Sequence, residues 1–279
     1  MSLLQKTIDF FKSDSPRDQL GRFKITFGQN EIFNQMIEKH LDHNRYQYAK
    51  ISILNSDKLR GHGFIVPLTI EEAIFLGSKY SYLNGQKFLI PEIETLELAN
   101  DKIAFNEFLD LYGFEKHLPN SIDGTEFPCV LKKSVDCGGQ NTILIHDTDE
   151  LKSLEKLVKR DDYFIQPFVT GDTEYTDHIF YDEGILYSCT IRFQMNEDFY
   201  VRGVKMQPYK NVQIEIVPSL YSDVFEEILS KLGYTGLCCF NYKIVEDRPI
   251  IFELNPRFGG SLPRDINRLV ATIENYYCS

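Results

Sequence analysis

A predicted hairpin near residue 250 constrains the fold most strongly. Two apolar runs, at residues 237–245 and 250–254, flank a short turn at 246–249. If the turn is centred on Asp247, three pairs of apolar residues face each other, and a continuous apolar face fixes the register of a hairpin. These pairs are Phe240–Leu254, Tyr242–Phe252 and Ile244–Ile250. The sequence therefore predicts an antiparallel ladder with one buried face and one polar face.

The polar face of this hairpin carries oxygen-bearing side chains. Asn241 falls opposite Glu253, and Asn255 lies two residues further along the strand, where side chains return to the same face. Opposite residues lie about 4.5–5.5 Å apart at Cβ, and hard cations such as Mg²⁺ take oxygen ligands together with substrate phosphates. Glu253 and Asn255 alone fit an ordinary polar sheet face equally well. Arg257 and the Gly-Gly-Ser turn at 259–261 favour a metal and phosphate site, because they add positive charge and accessible backbone N–H groups.

The composition is that of a globular protein. The 279 residues are 43% hydrophobic and 25% charged, and this length suggests either two compact units or one large unit with subdomains. The net charge of −11 disfavours binding of nucleic acid through a basic surface. No apolar run approaches the roughly 20 residues that span a bilayer, and the first residues show no long apolar core or cleavage site, so we expect neither a membrane span nor a secretory signal. None of the six cysteines has zinc-binding spacing, and the four within or beside apolar runs are predicted to be small buried hydrophobes. We expect a cytoplasmic protein without nucleic-acid or membrane partners.

Residues 1–95 are predicted to form a small α/β lobe. The spacing of apolar residues predicts a helix over 31–41, a short buried strand over 63–68 and a helix over 70–76 that Thr69 caps. No Gly-x-Gly-x-x-Gly motif follows a strand here, so a dinucleotide-binding lobe is not supported.

A second, strand-rich unit is predicted from about residue 96. Asp101 is placed to cap a helix that Gly113 ends, and residues 127–132 and 142–145 form a hairpin around a glycine-containing loop at 134–141. Further strands are predicted at 163–168, 175–181, 185–193 and 199–205, and further helices at 150–158, 224–232 and 263–276.

Several short motifs together resemble those of the ATP-grasp enzymes. Glu253-Leu254-Asn255-Pro256-Arg257 resembles the family's Glu-hydrophobic-Asn-Pro-Arg signature. The other motifs, in family order, are Asn100-Asp101-Lys102, the Pro-x-x-x-Lys strand at 128–132, and the hinge with its Gly-x-Glu-Tyr element at 164–175, which here holds one extra residue before the Glu. The resemblance implies an α/β (α+β) ATP-grasp fold, in which a small N-terminal α/β lobe (1–95) precedes an ATP-grasp domain (96–279). The two α+β subdomains of that domain, 96–165 with the lid and 166–279 with the metal site, would sandwich ATP.

The resemblance also implies which side chains meet the nucleotide. Lys102 and Lys132 would reach its phosphates, and alternation puts the competing candidate Lys133 on the opposite strand face. Glu174 would accept hydrogen bonds from the ribose. The remaining candidates are the lid-loop glycines Gly138 and Gly139 and the adenine-pocket residues Gln166, Pro167, Phe168 and Val169. Ordinary alternatives exist for each of these groups, namely solvated lysines, a surface carboxylate, a plain hairpin loop and a core strand.

The metal and the chemistry are implied to lie on the last hairpin. Asn241, Glu253 and Asn255 would hold Mg²⁺ or Mn²⁺, and Asn241 stands where relatives often have an acid or Gln, which leaves Glu253 as the only carboxylate. Arg257 and Lys132 would be catalytic, and Arg257 would stabilise the transferred phosphoryl group and an acyl phosphate. Weaker basic candidates on the same half are Arg192, Arg202 and Lys205.

The activity that the resemblance implies is that of an ATP-dependent carboxylate–amine ligase. ATP would convert a carboxylate to an acyl phosphate, and an amine would then displace phosphate to form an amide bond. The alternatives are carbamoyl-phosphate-synthase-like or carboxyphosphate chemistry and an ATP-binding module without catalysis. The implied partners are small-molecule carboxylate and amine substrates and a second copy of the chain in a homodimer. The acceptor pocket would lie between the N-terminal lobe and the 259–261 loop, where Arg264 could pair with a substrate carboxylate or cap its own helix face.

Overall fold

Three β-sheets organise the part of the chain that the structure describes. The structure is a computed structural model and describes residues 15–55, 59, 62–80, 88–119, 126–136, 139–195 and 212–278. One sheet is parallel, and the other two are antiparallel. This combination of helices with parallel and antiparallel sheets confirms the predicted fold class.

The N-terminal sheet is parallel, with the strand order β2-β1-β3. Its strands are β1 (Phe23–Phe27), β2 (Tyr46–Lys50) and β3 (Phe64–Val66). Helix α1 (Glu31–His40) connects β1 to β2, and helix α2 (Ile70–Tyr80) follows β3, so both predicted helices and the predicted strand are confirmed. Strands β1 and β2 were not predicted, because five residues with interleaved polar side chains carry little periodic signal.

Short polar side chains start both of these helices. The Asn30 side chain accepts a hydrogen bond from the backbone N–H of Phe33 at 3.1 Å, and Thr69 Oγ1 accepts from the backbone N–H of Glu72 at 3.2 Å. Each bond satisfies a backbone donor that has no partner within the first helical turn.

A pair of helices leads from the N-terminal lobe to the rest of the chain. Helix α3 (Ile93–Asn100) is followed directly by helix α4 (Lys102–Leu111). Asp101 separates them with an extended backbone and caps α4, since its Oδ1 accepts from two backbone N–H groups at 2.9 and 3.2 Å. The predicted cap is therefore confirmed, and it places Lys102 on the first turn of α4.

The second sheet is a small antiparallel layer with the order β5-β4-β6. Strand β4 (Cys129–Lys133) pairs with β5 (Ile143–Ile145) as the predicted hairpin, and with β6 (Tyr163–Pro167) on its other side. The single helix predicted at 150–158 is wrong, because Leu154 leaves helical geometry with φ −99° and ψ 10°. Two short helices stand in its place, α5 (Thr148–Ser153) and α6 (Glu155–Val158).

The largest sheet is antiparallel, with the order β11-β10-β7-β8-β9. Its strands are β7 (Thr173–Tyr181), β8 (Ile185–Gln194), β9 (Gln213–Val217), β10 (Gly236–Val245) and β11 (Arg248–Asn255). The strand predicted at 199–205 lies outside the described residues, and β9 was not predicted.

Helices pack against this large sheet. Helix α7 (Ser222–Leu232) ends at Gly233, whose φ of +61° is typical of the glycine that follows a helix, as predicted. The helix predicted at 263–276 is a 3₁₀ turn (Leu262–Asp265) followed by helix α8 (Ile266–Cys278). Helix α8 shares one core with β1 and β8, which joins the N-terminal lobe to the large sheet.

A β-bulge changes the predicted register of the last hairpin. Phe240 and Asn241 pair as predicted, but Tyr242 faces Ile251 and not Phe252. The ladder shifts by one residue between Asn241 and Tyr242, so Phe252 is the extra residue and lines a cavity, while Ile251 is buried against the core. The predicted pairs Tyr242–Phe252 and Ile244–Ile250 are therefore wrong, and Ile244 pairs with Pro249.

The position of the turn explains why the pairs next to it differ from the predicted ones. Glu246 and Asp247 have φ of +48° and +56°, and the residues that flank them, Val245 and Arg248, pair directly. Such a two-residue turn matches the twist of the strands it joins. It lies half a residue earlier than a turn centred on Asp247, and this changes every pairing between the turn and the bulge.

Phe240 lies on the buried face of the large sheet, and its replacement would test how much its packing against helix α7 stabilises the fold. Its side chain is 0% exposed and stacks on Phe225 of α7, with ring centroids 4.5 Å apart. We expect Phe240→Ala to lower the free energy of unfolding by about 3–5 kcal/mol, because it leaves a cavity in the core. Urea denaturation measures this change. Leu111→Ala is the control, since Leu111 is 79% exposed and its loss should change stability by less than about 0.5 kcal/mol.

The cysteines and the helices agree with two further expectations. Cys129, Cys189, Cys238 and Cys239 are buried without disulfide bonds, as predicted for small hydrophobes, whereas Cys278 is exposed. Within the described ranges, none of the helices combines the length and the apolar character that crossing a membrane requires.

Candidate active site

A cavity of about 680 Å³ lies where the two antiparallel sheets meet helix α1. Apart from the weaker basic candidates, its lining contains every predicted site residue that the structure describes. These are Lys102, Lys132, Gly139, Gln166, Pro167, Phe168, Val169, Glu174, Asn241, Glu253, Asn255 and Arg257. Gly138 lies outside the described residues. Side chains far apart in sequence are thus gathered in one place, and their individual roles stay predictions.

Glu253 is the centre of the polar end of this cavity. Its Oε1 accepts hydrogen bonds from Asn241 Nδ2 at 2.6 Å and Asn255 Nδ2 at 3.0 Å, and its Oε2 lies 3.3 Å from Lys102 Nζ. Burial opposes ionisation of Glu253, but the charges of Lys102 and Lys132 and the amide hydrogen bonds outweigh it and hold the pKa at about 2. The carboxylate is therefore a fixed negative charge at neutral pH.

The groups around Glu253 fit a hard cation that arrives with phosphate ligands. They offer one carboxylate and two amides, and Thr176 Oγ1 donates to Asn241 Oδ1 at 2.7 Å. Rotating the amides of Asn241 and Asn255 would present their oxygens at the same point. Mg²⁺ usually binds through one or two carboxylates plus substrate phosphates and not in an all-protein cage. In the described ranges, no group of three His, Cys, Asp or Glu side chains is placed to hold a metal ion.

Lys132 reaches the cavity from strand β4, whereas its neighbour Lys133 does not. Lys132 Nζ donates to Gln166 Oε1 at 2.8 Å and lies 5.2 Å from the centre of the Phe252 ring. Lys133 Nζ lies 3.8 Å from Asp162 Oδ2, away from the cavity lining. Alternation along the strand thus places Lys132 inside and Lys133 outside, as predicted.

The pKa of Lys132 predicts a pH limit for nucleotide binding. Burial lowers this pKa, and although Glu253 opposes the shift, the charge of Lys102 adds to it and the pKa falls from 10.5 to about 8. The positive charge is complete well below pH 8 and is lost as the pH rises through that value, so we expect affinity for ATP to weaken above about pH 8. Calorimetric titration with a non-hydrolysable ATP analogue measures the effect. Lys132→Arg stays protonated and should remove the alkaline loss; an unchanged loss in this variant would contradict the assignment.

A buried lysine that the sequence analysis missed holds the segment after β6. Lys243 Nζ donates to the carbonyl oxygens of Val169 at 2.9 Å and Gly171 at 2.6 Å, and lies 5.0 Å from the centre of the Phe168 ring. These contacts fix the backbone that the resemblance assigns to the adenine pocket. The available signal was a lysine within the otherwise largely apolar run of β10.

Glu174 and Thr176 enter the cavity from β7. Both side chains are buried, and positions two apart along a strand share a face. Thr176 contacts Asn241, so this face of β7 runs from the predicted ribose side toward the predicted metal ligands. Thr176 was also missed, because a threonine in a strand is usually a packing residue.

The opposite end of the cavity lies between helix α1 and the loop after β11. Phe33 of α1 packs on Phe258 with ring centroids 6.0 Å apart, and Arg257 Nη1 donates to the Phe258 carbonyl at 3.1 Å. Arg257 Nη2 also donates to Asn255 Oδ1 at 3.3 Å, which connects the two ends. The other lining residues here include Asn30, His178, Gly260, Ser261 and Arg264. The loop and the N-terminal lobe therefore meet where an acceptor pocket was predicted.

The weaker basic candidates do not gain support. Arg192 forms an ion pair with Glu215 on the neighbouring strand β9 and is absent from the cavity lining. Arg202 and Lys205 lie outside the described residues.

Known structures share the arrangement of these elements. D-alanine–D-alanine ligase from Bacillus anthracis in complex with ATP superposes with a TM-score of 0.62 at 16% identity, over 92% of this chain and 97% of that one. L-amino acid ligase from Bacillus licheniformis superposes with a TM-score of 0.53 at 15% identity, over 87% of this chain and 69% of that one. At these identities the likeness is one of fold.

Sequence comparison gives the family. The uncharacterized protein MG011 homolog of Mycoplasma pneumoniae is 28% identical over 166 residues, which are 57% of this chain and 56% of that protein. The chain thus matches a little more than half the length of this curated relative. The model of the ATP-grasp domain matches residues 99–261, which include Lys102, Lys132, Glu253 and Arg257. The chain belongs to the ATP-grasp family.

Proposed function

We propose that this protein is an ATP-dependent carboxylate–amine ligase. It would use ATP with Mg²⁺ or Mn²⁺ to convert a small-molecule carboxylate to an acyl phosphate, and an amine would displace phosphate to give an amide bond. The observation that carries the proposal is the Glu253 carboxylate, which contacts two amides and Lys102 in the same cavity as Lys132. Such a cluster suits phosphoryl transfer, in which positioning and charge neutralisation supply most of the catalysis.

The residues of the polar end, together with Arg257 beside Asn255, would act on the phosphates. Lys102 and Lys132 would neutralise phosphate oxygens, and Arg257 would stabilise the group in transfer. Glu253, Asn241 and Asn255 would hold the cation. A bound cation would supply further neutralisation of phosphate charge.

The remaining lining residues would hold the nucleoside and the acceptor. The backbone at 166–169, which Lys243 orients, would contact the adenine, and Glu174 would accept from the ribose hydroxyls. We further propose that residues 1–95 form a lobe that closes the acceptor end. Residues 96–165 and 166–279 would be the two halves that enclose ATP. The family membership and the two ligases of similar fold support this assignment of roles to the three parts of the chain.

A substrate screen tests the proposal. Purified protein is incubated with ATP, Mg²⁺ and a pool of amino acids and short-chain hydroxy, oxo and dicarboxylic acids, with hydroxylamine as a trap for acyl phosphates. We expect ADP release and a hydroxamate that both depend on one class of carboxylate. ADP release that depends on bicarbonate alone would favour carboxyphosphate chemistry instead. ATP binding without ADP release from any mixture would favour the non-catalytic module.

A further inference from the structure

Strand β7 presents a row of polar side chains to the cavity. Glu174, Thr176 and His178 occupy alternate positions, so they share one face and follow one another at about 6.5 Å intervals. Glu174 and Thr176 belong to the nucleotide and metal side described above. His178 is the third in the row, and no role in the proposed ligase reaction has yet been given to it.

His178 is paired with a hydroxyl at the acceptor end. Its Nε2 lies 2.7 Å from Ser261 Oγ, and both residues line the cavity. The imidazole is fully buried, and a Cβ at Gly259 would overlap it and lie 2.9 Å from Cys239 Sγ. The glycine therefore lets the loop close over the ring, so that Ser261 meets it.

We propose that Ser261 and His178 remove the proton that the acceptor amine must lose. This inference rests on the proposed ligase function. One proton of the ammonium group passes to Ser261 Oγ while the hydroxyl proton passes to His178 Nε2, which gives the nitrogen a free lone pair. The nitrogen then forms a bond to the acyl carbon, and the bond between that carbon and the phosphate oxygen breaks. Phosphate leaves with the electron pair of that bond and takes the second proton from the nitrogen.

The chemistry of the neighbouring groups supports this assignment. A protonated amine has no lone pair with which to attack, so a base must act at the acceptor end. Arg257 and Arg264 line that end, but a guanidinium stays protonated and cannot accept. Glu253 is engaged with Lys102 and two amides at the other end. Ser261 is thus the group that would touch the amine, and His178 is a positioning residue that acts through it.

Two nucleophiles separate proton removal from the other steps. Hydroxylamine is uncharged at neutral pH and already has a free lone pair, whereas an amino-acid amine is mostly protonated. We expect His178→Gln and Ser261→Ala to lower amide formation from amino-acid acceptors about 100-fold. Hydroxamate formation from the same carboxylate pool should stay within about twofold of wild type, because it does not need the relay. Both products are followed by mass spectrometry alongside ADP release.

Controls keep the two proposals distinguishable. Ser153→Ala makes the same chemical change on the exposed helix α5 and should leave both products unchanged. Ser261→Thr keeps a hydroxyl and should restore amide formation. Equal losses of amide and hydroxamate in His178→Gln and Ser261→Ala would indicate a structural role for the two residues and overturn the relay. Amide formation at the wild-type rate in both variants would also overturn it. A wild-type protein that forms no hydroxamate from any member of the pool would overturn the ligase proposal and the relay with it.

Discussion

Replacing Glu253 by glutamine is expected to lower magnesium-dependent ADP release about 10³-fold, which corresponds to about 4 kcal/mol. The substitution keeps the size of the side chain but removes the only carboxylate among the three predicted metal ligands. It also leaves Lys102 without its ion-pair partner and removes a negative charge that acts on Lys132. Steady-state ADP release at several Mg²⁺ concentrations measures the effect.

A glutamate on the same hairpin gives the matched control. Glu246 lies in the exposed turn and forms an ion pair with Arg248 at 2.7 Å, so Glu246→Gln should leave ADP release within about twofold of wild type. Binding of Mn²⁺ in the presence of ATP, followed by electron paramagnetic resonance, should weaken in Glu253→Gln alone. Full metal-dependent turnover in Glu253→Gln would rule out Glu253 as the principal metal ligand.

Replacing Lys132 by methionine is expected to lower kcat/KM for ATP about 100-fold. The amine of Lys132 lies in the cavity beside Gln166 and above Phe252, where little water screens its charge. Methionine fills a similar volume without the charge, so the expected loss is that of an electrostatic contact with the phosphates. ADP release as a function of ATP concentration gives the value.

Lys133→Met is the companion to this experiment. Lys133 is the next residue on the same strand, and its partner Asp162 lies outside the cavity, so this variant should stay within about threefold of wild type. Similar losses in both variants would mean that net charge, and not the position of Lys132, controls ATP use.

The pairing of Asn241 with Glu253 could be predicted from the sequence, but for a reason that was incomplete. A turn centred on Asp247 requires paired residue numbers to add to one constant value along the whole hairpin. The real turn lies half a residue earlier, and the bulge at Phe252 then restores the expected pairing beyond it. Two departures from a regular hairpin therefore cancel at the site. Neither the exact position of the turn nor the bulge can be recognised from the sequence of so short a run of strand-forming residues.

Lys243 and His178 could not be assigned from the sequence at all. Each is a polar residue within a strand, and its partners lie 72 or more positions away in the chain. Such roles depend on how separate elements pack together, which local periodicity does not encode. Lys102, in contrast, directly follows a helix cap and Lys132 lies near the end of a strand, where local patterns are informative.

Phe252, whose ring lies next to Lys132, is the extra residue of the bulge, so the pairing of the other strand residues does not depend on it. Ile251, Glu253 and Leu254 would alternate regularly between core and cavity if Phe252 were absent, and the pairs on both sides of the bulge would stay the same. Phe252 is thus a removable insert in an otherwise regular ladder. Deletion or substitution of Phe252 would therefore change the side chain that lines the cavity at this position and leave the residues of the hydrophobic core on the same face of the sheet.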